Sequence, residues 1–152
     1  MSDILPFSAT LEVRDRCLCF RAQRAARVLA RRFDAAFRPF ALTNGQFSLL
    51  MSLNRPEPPT ISDVAPFLGM DRTSLTAMLK PLERRGLLSV AVDRKDRRGR
   101  RLRLTEEGRA LLDAALPIWR AEHDRLDAAL AALEQPVDPT LLRNGLGGLA
   151  EA

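Results

Sequence analysis

Apolar residues recur at helical spacing through residues 12–37. Val13, Cys17, Phe20, Val28 and Phe33 mark the stripe, alanines fill between them, and Arg21, Arg24, Arg27 and Arg31 line the remaining surface. The pattern predicts one long helix that ends near Pro39. Thr43-Asn44-Gly45-Gln46 reads as a capping box, so a second helix is expected from Asn44 to about Leu53, with Phe47, Leu50 and Met51 turned to a core. A stiff connector with three prolines, Asn54 to Thr60, is too short to separate two domains. Thr60 and Asp63 have cap spacing for a third helix, but Pro66 lies inside it and predicts an element that is short or distorted. After the turn Gly69-Met70-Asp71 a fourth helix opens on Asp71. It should run to Leu82 and Gly86, with a kink at Pro81.

The period then changes. Leu88, Val90 and Val92 alternate with Ser89 and Ala91, and Leu102 and Leu104 alternate with Arg101 and Arg103, which predicts two half-buried strands joined by the polar turn DRKDRRGR. Thr105-Glu106-Glu107-Gly108 starts a long helix whose first-turn acids suit its dipole. Its apolar residues, Leu111 to Leu133, are expected to be interrupted by Pro117. Asp138-Pro139 caps and begins a last helix through Leu141, Leu142, Leu146 and Leu149. The expected fold is mainly α with a small β-hairpin wing: a winged helix-turn-helix domain plus N- and C-terminal dimerisation helices. The divisions are residues 1–40, 41–108 and 109–152, forming one compact unit. The outer helices carry more apolar stripe than one small domain can cover, which points to a homodimer.

Composition narrows the function. The chain has 152 residues, 46% of them hydrophobic, and a net charge of +5. No apolar run approaches the roughly 18 residues of a membrane span, and the N-terminus lacks the features of a signal peptide. A cytoplasmic protein with no membrane partner is expected. Residues 72–109 hold twelve Lys and Arg against five Asp and Glu, whereas residues 110–152 hold three against seven. A solvated surface accounts for many basic runs; here the run sits on a hairpin directly after a helix pair, as a phosphate-binding face would. Arg72, Thr73, Ser74, Thr76, Ala77 and Lys80 are polar or small side chains of the kind a DNA major groove accepts. Arg94, Lys95, Arg97, Arg98 and Arg100 crowd the turn. Arg97 and Arg98 are candidates for the minor groove or phosphates, with Asp96 orienting a neighbouring arginine. Double-stranded DNA is the expected partner. A protein-interaction module and a non-specific DNA coater are the alternatives from other classes.

The order helix, LTNGQFSLL, helix-turn-helix, LERRGLL, DRKDRRGRRLRLTEEG, long helix resembles the MarR family of winged-helix transcription regulators over nearly the whole chain. The resemblance implies a homodimeric repressor on a pseudo-palindromic operator, released by small aromatic acids, phenols or oxidants. By position it puts the Arg72 to Lys80 face in the major groove and Arg98 in the minor groove. The spacing from Leu18-Cys19-Phe20 to Leu42-Thr43 and Gln46 is similar to the organic-hydroperoxide sensors of that family. That implies a thiol-based redox alternative using Cys19. Those sensors hold the thiolate with tyrosines. This chain has none, and Gln23 and Phe33 stand at the corresponding offsets.

Other chemistry finds little footing. On a continuous helix Cys17 and Cys19 point about 200° apart, which excludes a disulfide or a shared metal and favours buried, inert thiols. His123 is read as solvated or dimer-bridging, and Trp119 as core. No metal or cofactor is expected. No phosphate-cradling glycine motif or nucleophile elbow is present, so no enzyme is expected. An effector pocket is expected between the dimer helices and the winged domain, where Phe20, Phe47 and Met51 meet Arg16 or Arg24.

Overall fold

A computed structural model of the chain describes residues 5–93 and 99–151. It begins with two helices rather than one, α1 (Phe7–Arg16) and α2 (Leu18–Ala36), broken at Cys17. Cys17 takes an extended backbone, φ −74° and ψ 104°, and its sulfur caps α2 by accepting the Phe20 amide at 3.3 Å. The break frees the Asp15 carbonyl, which accepts Arg21 Nε at 3.2 Å. Cys17 and Cys19 are therefore not on one continuous helix, and helical geometry does not exclude a disulfide between them. Cys19 is exposed in the single chain, not buried.

A 3-10 turn, Arg38–Phe40, leads to α3 (Asn44–Ser52), which opens on the reciprocal capping box of Thr43 and Gln46. Phe47 and Leu50 face the core as expected, joined by Leu49, while Met51 is half-buried. The second box, Thr60 with Asp63, starts α4 (Ile61–Phe67), seven residues long and containing Pro66. α4 ends in a left-handed Gly69 with φ 63°. The Met70 amide bonds to Ala65 O and the Gly69 amide to Pro66 O, a Schellman stop. α5 (Arg72–Arg84) ends the same way at Gly86, φ 71°, and Pro81 does not terminate it. Left-handed backbone is where glycine carries no Cβ penalty, which is why both helix stops carry it.

Strands β1 (Leu88–Val92) and β2 (Arg100–Leu104) pair antiparallel, Leu88 opposite Leu104 and Val92 opposite Arg100. Leu88, Leu102 and Leu104 are buried and Val90 is half-buried. Val92 departs from the alternation: at the outer end of β1 it has passed the helices and is exposed. α6 (Glu106–Ala131) runs uninterrupted through Pro117, and α7 (Pro139–Glu151) opens with Asp138 Oδ1 accepting the Thr140 and Leu141 amides. Proline removes one helical donor from a 26-residue ladder. Leu112 and Ala115, buried just before it, keep the helix seated.

The core gathers Phe33, Phe37, Leu49, Leu50, Val64, Leu75, Leu79, Leu82, Leu102 and Leu112, so α5 and the hairpin are held by the same side chains. α1 and α7 bury no residue in the single chain, and Phe7, Val13, Phe20, Val28, Leu141 and Leu146 stand exposed. His123 is not solvated: its ring lies 4.8 Å from Phe33 and 3.9 Å from Trp119, and its Nδ1 is 2.9 Å from Trp119 O. No described helix is long and apolar enough to cross a membrane.

Candidate nucleic-acid interface

The amphipathic pattern of α5 orients the site. Leu75, Leu79 and Leu82 are buried, and the opposite face exposes Arg72, Thr73, Ser74, Thr76, Ala77 and Lys80. Asp71 fixes its start by accepting the Ser74 amide at 2.8 Å and the Ser74 hydroxyl at 2.7 Å, and those bonds hold its carboxyl below the usual carboxylate range. The same bonds engage Ser74 internally. The Thr76 hydroxyl donates to Arg72 O at 2.7 Å, and Arg72 Nη2 donates to Ser62 Oγ, tying α5 to α4. Arg85 locks the far end of α5, donating to Ala41 O at 2.6 Å and Phe40 O at 3.0 Å. The six expected contact residues are thus all exposed, spread over a solvent-facing arc of about 200° on a helix braced at both ends.

Of the turn residues, Arg94, Lys95, Asp96, Arg97 and Arg98 lie outside the described residues. Arg100 opens β2 and is exposed, as is Arg103 three residues on, so β2 extends the basic surface. Asp93 and Arg101, which had not been singled out in the sequence, form an ion pair of 3.0 Å at the outer end of the strands, where the turn leaves β1.

The expected effector pocket does not assemble from its five residues. Phe20 and Arg24 line one cleft of about 980 Å³ between α2, α6 and α7, with Val28, Leu126, Leu130, Leu142 and Arg143. Phe47 and Met51 line another of about 430 Å³ between α3, α4 and α6, with Ser48, Phe67, Leu116 and Trp119. Arg16 is in neither lining and pairs with Glu12 at 2.5 Å. The helical stripe revealed which residues shared a face but not that the two clefts open at different levels along α6, one at Leu116 and Trp119 and the other from His123 to Leu130. Cys19 accepts Gln23 Nε2 at 3.1 Å, whereas Phe33 is buried against Phe37. Among the described residues no cluster of His, Cys, Asp or Glu suits a metal ion.

The arrangement is an exposed polar helix beside a basic antiparallel hairpin, a shape suited to groove binding rather than to bond-making. Comparison with known proteins agrees. The MarR family model matches residues 42–99. The chain is similar to the M. tuberculosis transcriptional regulator MosR, solved in complex with DNA, with 35% identity, coverage of 90% of this chain and 95% of that one, and a TM-score of 0.78. It is also similar to the transcriptional repressor CouR bound to a 23-mer DNA duplex, with 30% identity, 91% and 95% coverage and a TM-score of 0.75. The transcriptional activatory protein BadR of Rhodopseudomonas palustris is 33% identical over 104 residues, 66% of this chain, and the match spans 59% of BadR's length. With a winged helix-turn-helix in place and solved relatives of at least 30% identity matched over 95% of their length, the chain belongs to the MarR family of transcriptional regulators, not to a family of enzymes.

Proposed function

We propose that the protein is a sequence-specific DNA-binding repressor that works as a homodimer on a pseudo-palindromic operator and is released by a small aromatic or phenolic ligand. The observation that carries the DNA reading is the solvent face of α5, where Arg72, Thr73, Ser74, Thr76, Ala77 and Lys80 stand together beside the basic hairpin. On this reading α5 enters the major groove, and Arg94, Lys95, Arg97, Arg98 and Arg100 of the wing meet phosphates or the minor groove, with Asp96 orienting them. Dimerisation is supported by the apolar faces that α1, α2 and α7 leave uncovered, and residues 1–40 and 109–152 would form that interface. Repression is favoured because CouR, named a repressor, is matched over 95% of its chain, whereas BadR, named an activator, is matched over 59%.

The ligand reading is supported by the cleft between α3, α4 and α6. Its apolar walls of Phe47, Met51, Phe67, Leu116 and Trp119 suit a ring, the Ser48 hydroxyl suits a phenol, and Arg55 brings a cation over the Phe67 ring at 5.9 Å. A wedge there would part α3 from α6 and tilt α5.

The deciding experiment is fluorescence anisotropy on DNA from upstream of the protein's own coding region against a scrambled duplex, at about 150 mM salt. A preference of roughly 10³-fold, falling steeply with salt, is expected. Equal affinity for both would leave a non-specific coater or an operator elsewhere in the genome, and no affinity for either would favour a protein-interaction module. A second reading, redox control through Cys19, is favoured by the exposure of that thiol and its hydrogen bond from Gln23. It predicts that an organic hydroperoxide releases the native protein from DNA but not Cys19→Ser.

A further inference from the structure

We propose, resting on the DNA-binding reading above, that Arg101 is a positioning residue that locks the wing to the connector between α3 and α4. One guanidinium holds two acceptors at once. Its Nη2 pairs with Asp93 Oδ2 at 3.0 Å, and its Nη1 donates to Pro58 O at 2.7 Å. The Asp93 side chain is only 7% exposed, so its charge requires a partner that cannot be replaced by water.

The backbone supports the same junction. The Leu102 amide donates to Pro59 O at 2.8 Å, and Thr60 forms an isolated bridge with Arg101. Proline fixes the φ of both carbonyl-bearing residues, so the connector presents its acceptors from a stiff rail. The rail is in turn fastened to α4, because Thr60 is that helix's cap and its amide donates to Asp63 Oδ2 at 2.8 Å. At the other end the Asp93 amide donates to Gly99 O at 3.1 Å, closing the base of the segment that carries Arg97 and Arg98. A two-stranded hairpin is marginal alone, and its direction relative to α5 is set by what its strands are tied to. A planar fork with two fixed arms sets the spacing between Asp93 and Pro58; an ammonium group, a single point donor, does not. Both arms of Arg101 point into the protein, so its contribution to DNA binding runs through the wing and not through a phosphate.

The test uses the full chain and a duplex that the native protein selects from a random pool, with affinity read by anisotropy at fixed salt. Arg101→Ala is expected to weaken binding about tenfold, within the range of losing one groove contact. Arg101→Lys should fall between. The double variant Arg98→Ala, Arg101→Ala should bind no more weakly than Arg101→Ala alone, because a misplaced wing has already lost what Arg98 supplies. Additive losses, native affinity in Arg101→Ala, or full rescue by lysine would each overturn the proposal. Amide hydrogen exchange without DNA supplies an independent arm: exchange at Asp93 and Leu102 should rise in Arg101→Ala while Leu79 in α5 keeps its protection. A uniform rise would mean general destabilisation and would refute positioning. If the alanine variant does not fold, Arg101→Lys carries both arms. If the native protein selects no duplex, the DNA-binding reading fails, and the exchange arm still decides whether Arg101 anchors the hairpin.

Discussion

Gly108 is where the long helix is fastened to the DNA-binding half, and replacing it with alanine should be among the most damaging single-methyl changes in the chain. A Cβ there would press into the Leu87 carbonyl oxygen and lie 2.8 Å from Leu104 Cδ1 and 3.0 Å from the Leu87 carbonyl carbon. Restoring ordinary carbon–oxygen contact requires the first turn of α6 to retreat by more than about 1 Å. Two bonds hold that turn in place, from the Thr105 amide to Leu87 O at 3.2 Å and from the Thr105 hydroxyl to Gly86 O at 2.6 Å. Overpacking against rigid backbone costs about 1–3 kcal/mol or more. The two hydrogen bonds add about 1 kcal/mol each, and the gain in helix propensity returns about 1 kcal/mol. The net expectation is a loss of about 3 kcal/mol, or a midpoint lower by roughly 6–12 °C for a chain of this size. Urea and thermal unfolding at one fixed protein concentration would measure it, since the proposed dimer would make both concentration-dependent. The matched control is Gly45→Ala, whose Cβ meets only the flexible end of Met78, Cε at 3.3 Å, and should change stability by less than about 1 kcal/mol. Equal stability of the two variants would refute the reasoning.

Arg98→Ala should weaken operator binding by about 1–3 kcal/mol with the dimer intact, and native affinity by anisotropy would remove Arg98 from the groove. Val28→Glu with Leu142→Glu places charge on two exposed apolar positions of the same cleft. Sedimentation should then show monomers with reduced operator affinity, and a persisting dimer would put the interface elsewhere. Acid should weaken the helix-turn-helix through its caps. The carboxyls of Asp71 and Asp63 are held below their ordinary value of 3.8, mainly by the amides of Ser74 and Thr60. Their contribution is therefore complete above the unfolded value and lost as pH falls through the folded one. Asp71→Asn keeps a cap without the titration and should flatten the acid limb of the urea midpoint against pH; an unchanged limb would mean other carboxylates govern it.

Legibility followed the range of the interactions. The boxes at Thr43 with Gln46 and Thr60 with Asp63, and the caps at Asp71 and Thr105, close over three residues, so their chemistry is written in adjacent letters. The break at Cys17 was not readable in that way. No proline or glycine marks it, and it rests on a thiol used as a cap together with the reach of Arg21 back to Asp15. Pro117 misled in the opposite sense. Breaker chemistry is local, but continuity of α6 depends on Leu112 and Ala115 finding partners in the core.

The same distinction explains the candidate site. Periodicity gives the face of a helix, and the face of α5 followed from its letters. It does not say which element that face meets, so Phe20 and Phe47, alike in pattern, end in different clefts at two levels along α6. Arg101 carries the point furthest. Strand alternation assigns it the same outward side as Arg103, and the alternation alone does not distinguish the two. The difference comes from residues some forty positions earlier, where the Pro58 carbonyl meets its guanidinium and the Thr60 backbone bridges to its own. A connector whose prolines read as a mere spacer is therefore part of the wing, and substitutions in Pro58 and Pro59 should disturb wing placement as Arg101→Ala does, with α5 left intact.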